Sequence, residues 1–401
     1  MSAADAAGAP TGAPAVADRL GEVREYYFSR KLREIAERRG AGQDILNLGI
    51  GNPDLPPPPA VAAALLGDLR QPGSHGYQPY AGTRRWRRAL RQWYGERYGV
   101  TLGEEEVLPL TGSKEGIAHL CLAYLQPGRA ALYPDPGYPA YAAAARLAQG
   151  RPLPYPMPEP DEAPAAWVQR VGAARGGEAP AVLFVNSPHM PTGQVLSRGH
   201  LEALVAFAKT HDCLLVSDNA YGYYHPDGPT SLLAVPGARE VAVELNSLSK
   251  SHHLAGWRLG ALVGRPDVLA ATLRVKSNFD SGQFRSVQAG GSVALTTEWE
   301  WHRRQLERIA GRRVVGEQLL AELGCEVAPD QHGLFAWARL PAGVGDAEAW
   351  CDDLLDRHLV FVPPGTVFGS GGAGHVRLSL CSPTPVLEEA IRRVGAQNSG
   401  S

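Results

Sequence analysis

The sequence predicts an α/β protein that has a large domain with a mainly parallel central sheet sandwiched by helices, and a smaller α+β domain. Two observations lead to this prediction. Short runs that are apolar throughout alternate with longer segments of helical periodicity, as expected when strands are covered on both faces. Near residue 290 the pattern changes to a long charged helical segment, 301–323, and two strand-like segments follow it at 333–340 and 374–381.

Six apolar runs in the middle of the chain are the candidate strands of the large sheet. They cover residues 107–110, 130–133, 181–185, 213–217, 241–245 and 259–263. The helical pattern of 198–211 lies between two of them and fits a crossover helix. Because open α/β sheets bind ligands beyond the carboxyl ends of their strands, we expect the functional residues to follow these runs.

Changes in composition and periodicity divide the chain into four parts. Residues 1–17 are almost entirely small residues and proline, which predicts a disordered tail. Residues 18–65 contain a charged helical segment and a short apolar run at 45–50, and are predicted to form an N-terminal arm and part of the small domain. The large, ligand-binding domain is predicted at 66–289 and the C-terminal small domain at 290–396.

The charges of the chain nearly balance, with 39 basic and 41 acidic side chains and a formal net charge of −2. This gives no electrostatic reason to expect nucleic acid or an anionic membrane as a partner. The apolar runs are too short to cross a bilayer and no signal-peptide pattern occurs, so we expect a cytoplasmic protein. The five cysteines form no CxxC pair and HExxH is absent, so we expect no metal site.

Only five of the 39 basic residues are lysines, which leaves few candidates if the chemistry needs a primary amine. One of them, Lys250, follows the run at 241–245 and two serines, and Arg258 lies eight residues further along. A desolvated lysine at the end of a buried strand readily forms an imine with a carbonyl compound. We therefore interpret Lys250 as a functional residue rather than as a solvated cation.

Polar or small residues also follow two other candidate strands. Asp218 and Tyr221 come directly after the run at 213–217, where a carboxylate and a phenol can address two atoms of one planar ligand. Small residues at 111–116 precede a helical pattern, and free N–H groups at such a helix N-terminus suit a phosphate. The GxxxxGK[ST] pattern is absent, so a nucleoside triphosphate-binding loop is not supported.

Taken together, these motifs resemble the fold-type I, class I/II aminotransferases, which use pyridoxal 5′-phosphate (PLP). The resemblance covers about residues 26–380. It is specific at Ser247-Leu248-Ser249-Lys250 with Gly256-Trp257-Arg258, at Asn186-Ser187-Pro188 with Pro191-Thr192-Gly193, and at Asp218 with Tyr221. Segments 235–238 and 278–282 resemble a narrower group, which includes diaminopimelate, methionine and aromatic amino-acid aminotransferases.

The resemblance implies the catalytic roles. Lys250 would hold PLP as an imine and then, as a free amine, move the proton between substrate Cα and cofactor C4′. Asp218 would pair with the N1–H of the pyridine ring, and Tyr221 would donate a hydrogen bond to O3′. The implied reaction moves the amino group of an L-amino acid to a 2-oxo acid by a ping-pong mechanism.

The same resemblance implies which residues bind the cofactor and the substrate. The phosphate ligands would be the backbone amides of Ser113 and Lys114 and the side chains of Ser247, Ser249 and Arg258. Tyr138 would stack on the ring, and Tyr77 would reach the phosphate of the neighbouring subunit, which implies a homodimer with shared active sites. Arg377 would bind the substrate α-carboxylate together with the backbone near Gly51.

One residue departs from the pattern of the family, which usually has Asn directly before Pro-Thr-Gly. That residue is Met190 here. A thioether cannot donate a hydrogen bond to O3′, so Tyr221 is expected to hold O3′ alone. The departure leaves a second PLP reaction open, that of an amino-acid lyase, decarboxylase or oxidase. A PLP-fold transcription regulator is disfavoured, because residues 1–40 are too short and too rich in Ala and Pro for a DNA-binding domain.

The sequence leaves the amino donor, the acceptor and the pathway open. Lys276, Asn278 and Asp280 fall where relatives bring side-chain-recognising residues toward the partner's active site. Lys276 could accept a dicarboxylate such as glutamate. The other side of the site would instead suit an apolar or aromatic amino acid, because its candidate residues are Tyr26, Phe28 and Trp337.

Overall fold

The computed structural model describes residues 14–398 of the 401-residue chain, so residues 1–13 of the predicted tail lie outside it. The α-helices of the described range are α1 (Tyr27–Gly40), α2 (Pro59–Leu69), α3 (Arg84–Tyr98), α4 (Ser113–Tyr124), α5 (Ala140–Leu147), α6 (Pro164–Ala174), α7 (Arg198–Thr210), α8 (Ala238–Val241), α9 (Leu248–Ser251), α10 (Pro266–Lys276), α11 (Arg285–Ala294), α12 (Trp299–Glu322), α13 (Ala347–His358) and α14 (Thr384–Asn398). The strands are β1 (Leu46–Asn47), β2 (Val107–Leu110), β3 (Ala130–Pro134), β4 (Arg151–Tyr155), β5 (Pro180–Val185), β6 (Leu214–Asn219), β7 (Ala242–Ser247), β8 (Gly260–Gly264), β9 (Glu326–Val327), β10 (Phe335–Arg339), β11 (Val360–Phe361) and β12 (His375–Ser379).

Seven strands form the central sheet, in the order β2-β8-β7-β6-β5-β3-β4. Neighbouring strands are parallel except at β8, which runs antiparallel to both β2 and β7. The six predicted strands are all present, and their ends differ from the prediction by two residues at most. The prediction of an α/β fold with a mainly parallel central sheet is therefore confirmed.

The edge strand β4 is the one strand of this sheet that the apolar pattern does not reveal. It contains Pro152 and Pro154, and most of its residues are partly or fully exposed. Its only partner in the sheet is β3. Proline is tolerated at an edge because its missing N–H group is not needed by a second neighbour. The position of the strand, rather than its composition, therefore explains how it forms.

The C-terminal part of the chain contains a three-stranded antiparallel sheet, β12-β10-β9, with α12 packed against it and against α14. The predicted helix at 301–323 corresponds to α12, and the predicted strands at 333–340 and 374–381 contain β10 and β12. The N-terminal strand β1 joins this region by pairing in parallel with β11. The exact limits of the four predicted parts of the chain remain a prediction.

Three further observations concern the whole described range. The five cysteines are buried and free. Within residues 14–398, no group of three or more His, Cys, Asp or Glu side chains is arranged to hold a metal ion. Over the same range, every helix is too short or too polar to cross a membrane.

A buried carboxylate fixes the carboxyl ends of β6 and β7. Glu244 on β7 is fully buried and accepts five hydrogen bonds of 2.9–3.1 Å. The donors are the side chains of Tyr94, Ser217, Asn219 and Ser231 and the backbone N–H of Leu232. Ser217 and Asn219 stand on either side of Asp218 in β6, and successive side chains of a strand point to opposite faces. Glu244 therefore holds the end of β6 from the face opposite to the Asp218 side chain.

Candidate active site

A cavity of about 350 Å³ lies beyond the carboxyl ends of β5, β6 and β7 and extends to β10 and β12. Its wall contains all the predicted site residues except one. These lining residues are Gly51, Ser113, Lys114, Tyr138, Asp218, Tyr221, Ser247, Ser249, Lys250, Arg258 and Arg377. The exception is Tyr77, whose side chain is 92% exposed on the surface.

Lys250 enters the cavity from α9, which directly follows β7. Its ammonium group donates a hydrogen bond to the carbonyl oxygen of Gly51, and no carboxylate of the described residues pairs with it. Burial lowers the pKa of Lys250, with an opposing effect from the nearby Cys381. A lower pKa raises the fraction of neutral amine, which is the form that attacks a carbonyl carbon.

Asp218 lies at the end of β6, and one of its two carboxylate oxygens has no partner. Its Oδ2 accepts a hydrogen bond of 2.9 Å from the hydroxyl of Tyr141, whereas the buried Oδ1 accepts none from the described residues. Burial raises the pKa of Asp218 to about 6, although the hydroxyls of Tyr141 and Ser113 act in the opposite direction. An unpaired buried acceptor of this kind fits the protonated ring nitrogen of PLP.

The end of the cavity near α4 suits a phosphate. Ser113 is the first residue of α4, so this helix directs its free N–H groups at the cavity. Within the described part of the chain, the exposed guanidinium of Arg258 donates only to carbonyl oxygens, those of Ala255 at 2.9 Å and Thr111 at 3.2 Å. Glycine is favoured at position 112 because its φ of +88° is one that residues with a Cβ rarely adopt, and an added Cβ would also lie 2.4 Å from Nη2 of Arg258. With the hydroxyls of Ser247 and Ser249, these groups fit the phosphate of PLP.

Arg377 on β12 is a buried cation without a carboxylate partner among residues 14–396. Its Nη2 donates to the carbonyl oxygen of Gly49 at 2.6 Å, and its Nη1 donates to Sδ of Met190 at 3.3 Å. The guanidinium lies 3.9 Å from the ring centroid of Phe335 and 4.4 Å from that of Phe368. Burial lowers the pKa of Arg377 to about 10. A buried guanidinium that lacks a counter-ion suits a carboxylate brought by a substrate.

Two surface segments, 77–80 and 279–284, each expose two aromatic side chains, Tyr77 and Tyr80 in the first and Phe279 and Phe284 in the second, and are together called the aromatic patch. The segments that carry these residues touch, because an added Cβ at Gly282 would lie 2.2 Å from the carbonyl oxygen of Gln78. Gln283 joins the patch to the phosphate end of the cavity by donating to the carbonyl oxygen of Arg258 at 2.8 Å. The chain therefore presents Tyr77 outward, beside its own cavity rather than in it.

Of the residues expected to recognise the substrate side chain, some line the cavity and others do not. Tyr26 and Phe28 line the cavity as expected. Trp337 does not line it, but stacks on His375 with ring centroids 5.1 Å apart. The expectation that Lys276 could accept a substrate dicarboxylate is wrong, because its side chain is fully buried and paired with Glu115 and Asp280.

Three residues around Asp218 were not predicted to have a role at the site. Tyr141 donates to Asp218 from α5, and Glu244 holds the strand from the other face. The side-chain amide of Asn186 donates to the carbonyl oxygen of Asp218 at 2.7 Å and accepts from the N–H of Met190 at 2.8 Å. Asn186 stands in a motif visible in the sequence, but the contacts of Tyr141 and Glu244 depend on the order of the strands.

Known proteins resemble this chain over nearly its whole length. The sequence profile of the family described as aminotransferase class I and II matches residues 43–394. The LL-diaminopimelate aminotransferase of Desulforudis audaxviator is 38% identical over 388 residues, covering 94% of this chain and 96% of the relative. The protein of the same name from Moorella thermoacetica is 37% identical over 383 residues, covering 94% of this chain and 97% of the relative.

Solved structures show the same relationship. The substrate-bound structure of BacF from Bacillus subtilis has a TM-score of 0.88 and 30% sequence identity, covering 96% of this chain and 98% of that chain. A probable N-succinyldiaminopimelate aminotransferase from Thermus thermophilus has a TM-score of 0.83 and 37% identity, covering 91% of this chain and 98% of that chain.

These similarities support transamination over the other PLP reactions that the sequence leaves open, those of a lyase, decarboxylase or oxidase. The family profile spans most of the chain, and the unpaired groups of the cavity fit the ring nitrogen and the phosphate of PLP. The chain therefore belongs to the class I and II aminotransferases and is a PLP-dependent aminotransferase with the type I fold.

Proposed function

We propose that this aminotransferase works by a ping-pong mechanism through Lys250 and takes amino acids and 2-oxo acids that carry a second carboxylate. One observation carries the proposal of substrate class. Apart from Lys250, the cavity has three cationic side chains, Arg258, Arg377 and Lys114, and none of them pairs with a carboxylate of the described residues. The cofactor phosphate and the substrate α-carboxylate account for two of them, which leaves Lys114 for a further anionic group.

Lys114 lines the cavity from the first turn of α4 and is exposed to solvent. Its Nζ lies 4.5 Å from the ring centroid of Tyr26, a contact that holds the ammonium beside the N-terminal arm. Partial burial and the nearby Arg258 cation lower the pKa of Lys114. An anionic ligand would relieve this repulsion between the two cations.

The names of the relatives agree with this substrate class. LL-diaminopimelate and N-succinyldiaminopimelate, which appear in those names, both carry a carboxylate at each end of the molecule. The second candidate is an apolar or aromatic amino acid, and it is favoured by the aromatic walls that Tyr26, Phe28 and Phe335 give the cavity. A comparison of dicarboxylic with monocarboxylic amino acids as amino donors distinguishes the two candidates.

The roles of the other residues follow from their positions. PLP, when bound, supplies an electron sink that stabilises negative charge at the substrate Cα. Asp218 Oδ1 would hold the proton of the ring nitrogen, and Tyr221 would donate to O3′. Arg377 and the backbone at Gly51 would orient the α-carboxylate, and Tyr138 would pack on the ring. Lys250 would then carry the proton between Cα and C4′ as general base and acid.

We further propose that the protein is a cytoplasmic homodimer in which Tyr77 binds the cofactor phosphate of the partner subunit. The exposed aromatic patch around Tyr77 supports this, because large apolar side chains exposed together are typical of interaction surfaces. The position of the patch beside the phosphate end of the cavity also supports sharing of the two sites.

Replacing the proposed amine tests the central role. Lys250→Arg keeps the positive charge but removes the nucleophile, so we expect a folded protein whose kcat falls by about 10²–10⁴-fold or more. Transfer of the amino group to added 2-oxoglutarate is measured, with folding checked by thermal unfolding. Lys209→Arg on the surface of α7 is the control and should keep full activity. Substantial transamination by Lys250→Arg would contradict the proposal.

Removing the ammonium of Lys114 tests the substrate class. For Lys114→Met we expect the KM for a dicarboxylic amino acid to rise about tenfold, because one charge-assisted contact is lost. The KM for monocarboxylic amino acids should not change. A spectral half-reaction screen of the twenty amino acids identifies the donors and measures both effects. An equal loss for both classes, together with weaker PLP binding, would assign Lys114 to the phosphate instead.

A hybrid dimer tests whether Tyr77 acts across the interface. One subunit carries Tyr77→Ala and the other Lys250→Ala, and two affinity tags allow the hybrid to be purified. If Tyr77 serves the partner's site, one of the two sites has neither defect, and the hybrid regains up to half of the wild-type activity per dimer. No regain of activity would contradict the shared site.

The thioether at position 190 predicts a spectroscopic difference. In Met190→Asn the new amide can donate to O3′, so the pH midpoint of the visible band of the enzyme-bound cofactor should fall below that of the wild type. The band is titrated spectrophotometrically in both proteins. Identical midpoints would show that Met190 has no influence on O3′.

A further inference from the structure

We propose that Lys276 is a positioning residue for the phosphate end of the cofactor site. Its ammonium holds together the two segments that fix Arg258 and the start of α4. The inference rests on the proposed cofactor site, and it gives Lys276 a role inside the fold rather than one in contact with the substrate.

Lys276 is the last residue of α10, and its side chain has no exposed surface. The ammonium forms ion pairs with Asp280, one turn further along the chain, and with Glu115 at 3.3 Å. A buried lysine is costly unless it is paired. The side chains of Glu115 and Asp280 are 15% and 23% exposed, respectively, so the carboxylates border the surface and the cation lies beneath them.

The first connection runs through Glu115 to the segment before α4. Glu115 uses one oxygen for Lys276 and the other to accept from the N–H of Thr111 at 2.6 Å. The carbonyl oxygen of Thr111 in turn accepts from Nη2 of Arg258 at 3.2 Å. Lys276 thus fixes the residue whose carbonyl group aims the proposed phosphate-binding guanidinium.

The second connection runs through Asp280 to the backbone of Arg258. Asp280 accepts from the N–H of Gly282 at 3.3 Å and so shapes the turn before Gln283. The amide of Gln283 then donates to the carbonyl oxygen of Arg258 at 2.8 Å and to that of Leu110 at 3.2 Å. Arg258 needs such support because its φ of +53° lies in the left-handed region, which is unfavourable for a side chain with a Cβ.

Both connections end at Arg258, one at its guanidinium and one at its backbone. Removing the Lys276 ammonium would leave two like charges close together, and their repulsion would separate the two segments. The ring-binding residues Asp218 and Tyr221 lie on other elements, in or after β6. The expected defect is therefore confined to the recognition of the phosphate.

The test compares two ligands that differ only in the phosphate. The apoenzymes of the wild type and of Lys276→Met are titrated with PLP and with pyridoxal, and equilibrium dissociation constants are measured by absorbance. We expect Lys276→Met to weaken PLP binding about tenfold or more while pyridoxal binding stays within about twofold of the wild type.

The matched control is Lys31→Met. Lys31 is also a largely buried lysine paired with two carboxylates, Glu34 at 2.7 Å and Asp352 at 2.9 Å, but among the described residues these partners bond neither to Arg258 nor to the segment before α4. We expect this variant to lose stability without a change in either dissociation constant. If Lys276→Met does not fold, Glu115→Gln replaces it, since it breaks the same connection without removing the buried cation and should also weaken PLP selectively.

Four results would contradict one of the proposals. Equal weakening of PLP and pyridoxal, or no weakening of either in a folded variant, would overturn the positioning role of Lys276. The same conclusion would follow if Lys31→Met weakened PLP as much as Lys276→Met did. A wild-type protein that binds PLP no more tightly than pyridoxal would instead contradict the proposed phosphate site itself.

Discussion

The burial of charged groups without partners is the constraint on which the active site depends. Among the residues that the structure describes, one carboxylate oxygen of Asp218 has no hydrogen-bond donor and the guanidinium of Arg377 has no counter-ion. Each unpaired buried polar group costs about 1–3 kcal/mol of folding stability, more when it is charged. A chain can keep such groups only if the surrounding structure prevents them from turning toward one another or toward water.

The network of Glu244 provides this restraint at Asp218. Two of its five hydrogen bonds hold Ser217 and Asn219, so the backbone on both sides of Asp218 is fixed from the opposite face of the sheet. Asn186 adds a bond to the backbone carbonyl of Asp218 itself. A cofactor or substrate that pairs with these buried groups would bind the folded state only, so its binding would stabilise the folded chain. The same groups that weaken the folded chain therefore give it affinity.

The parts of this arrangement that could be predicted are those with a local signal. The apolar runs predict six strands, and the polar residues that follow them predict Lys250, Asp218 and the start of α4. The contacts of Tyr141 with Asp218 and of Glu244 with Asn219 join residues that are far apart in the sequence, so they depend on strand order and register. The prolines of β4 argue against a strand unless its position at the edge of the sheet is known. The expectation that Lys276 contacts the substrate is wrong because nearness to a motif in the sequence does not show which way a side chain points.

The chain has only five lysines among its 39 basic residues, so each position that keeps a lysine calls for an explanation. Lys209 forms an exposed pair with Glu240, the kind of contact in which arginine would serve equally well. The role proposed for Lys250 needs an amine that can lose its proton, which a guanidinium does not readily do. At Lys276 the reason is different. The ammonium is a compact charge that has no exposed surface and lies between two carboxylates. A planar guanidinium is larger, so in that space it would push apart the segments that converge on Arg258. In the proposed cofactor site, the two lysines would thus act by different properties of the same group, reactivity in Lys250 and small size in Lys276.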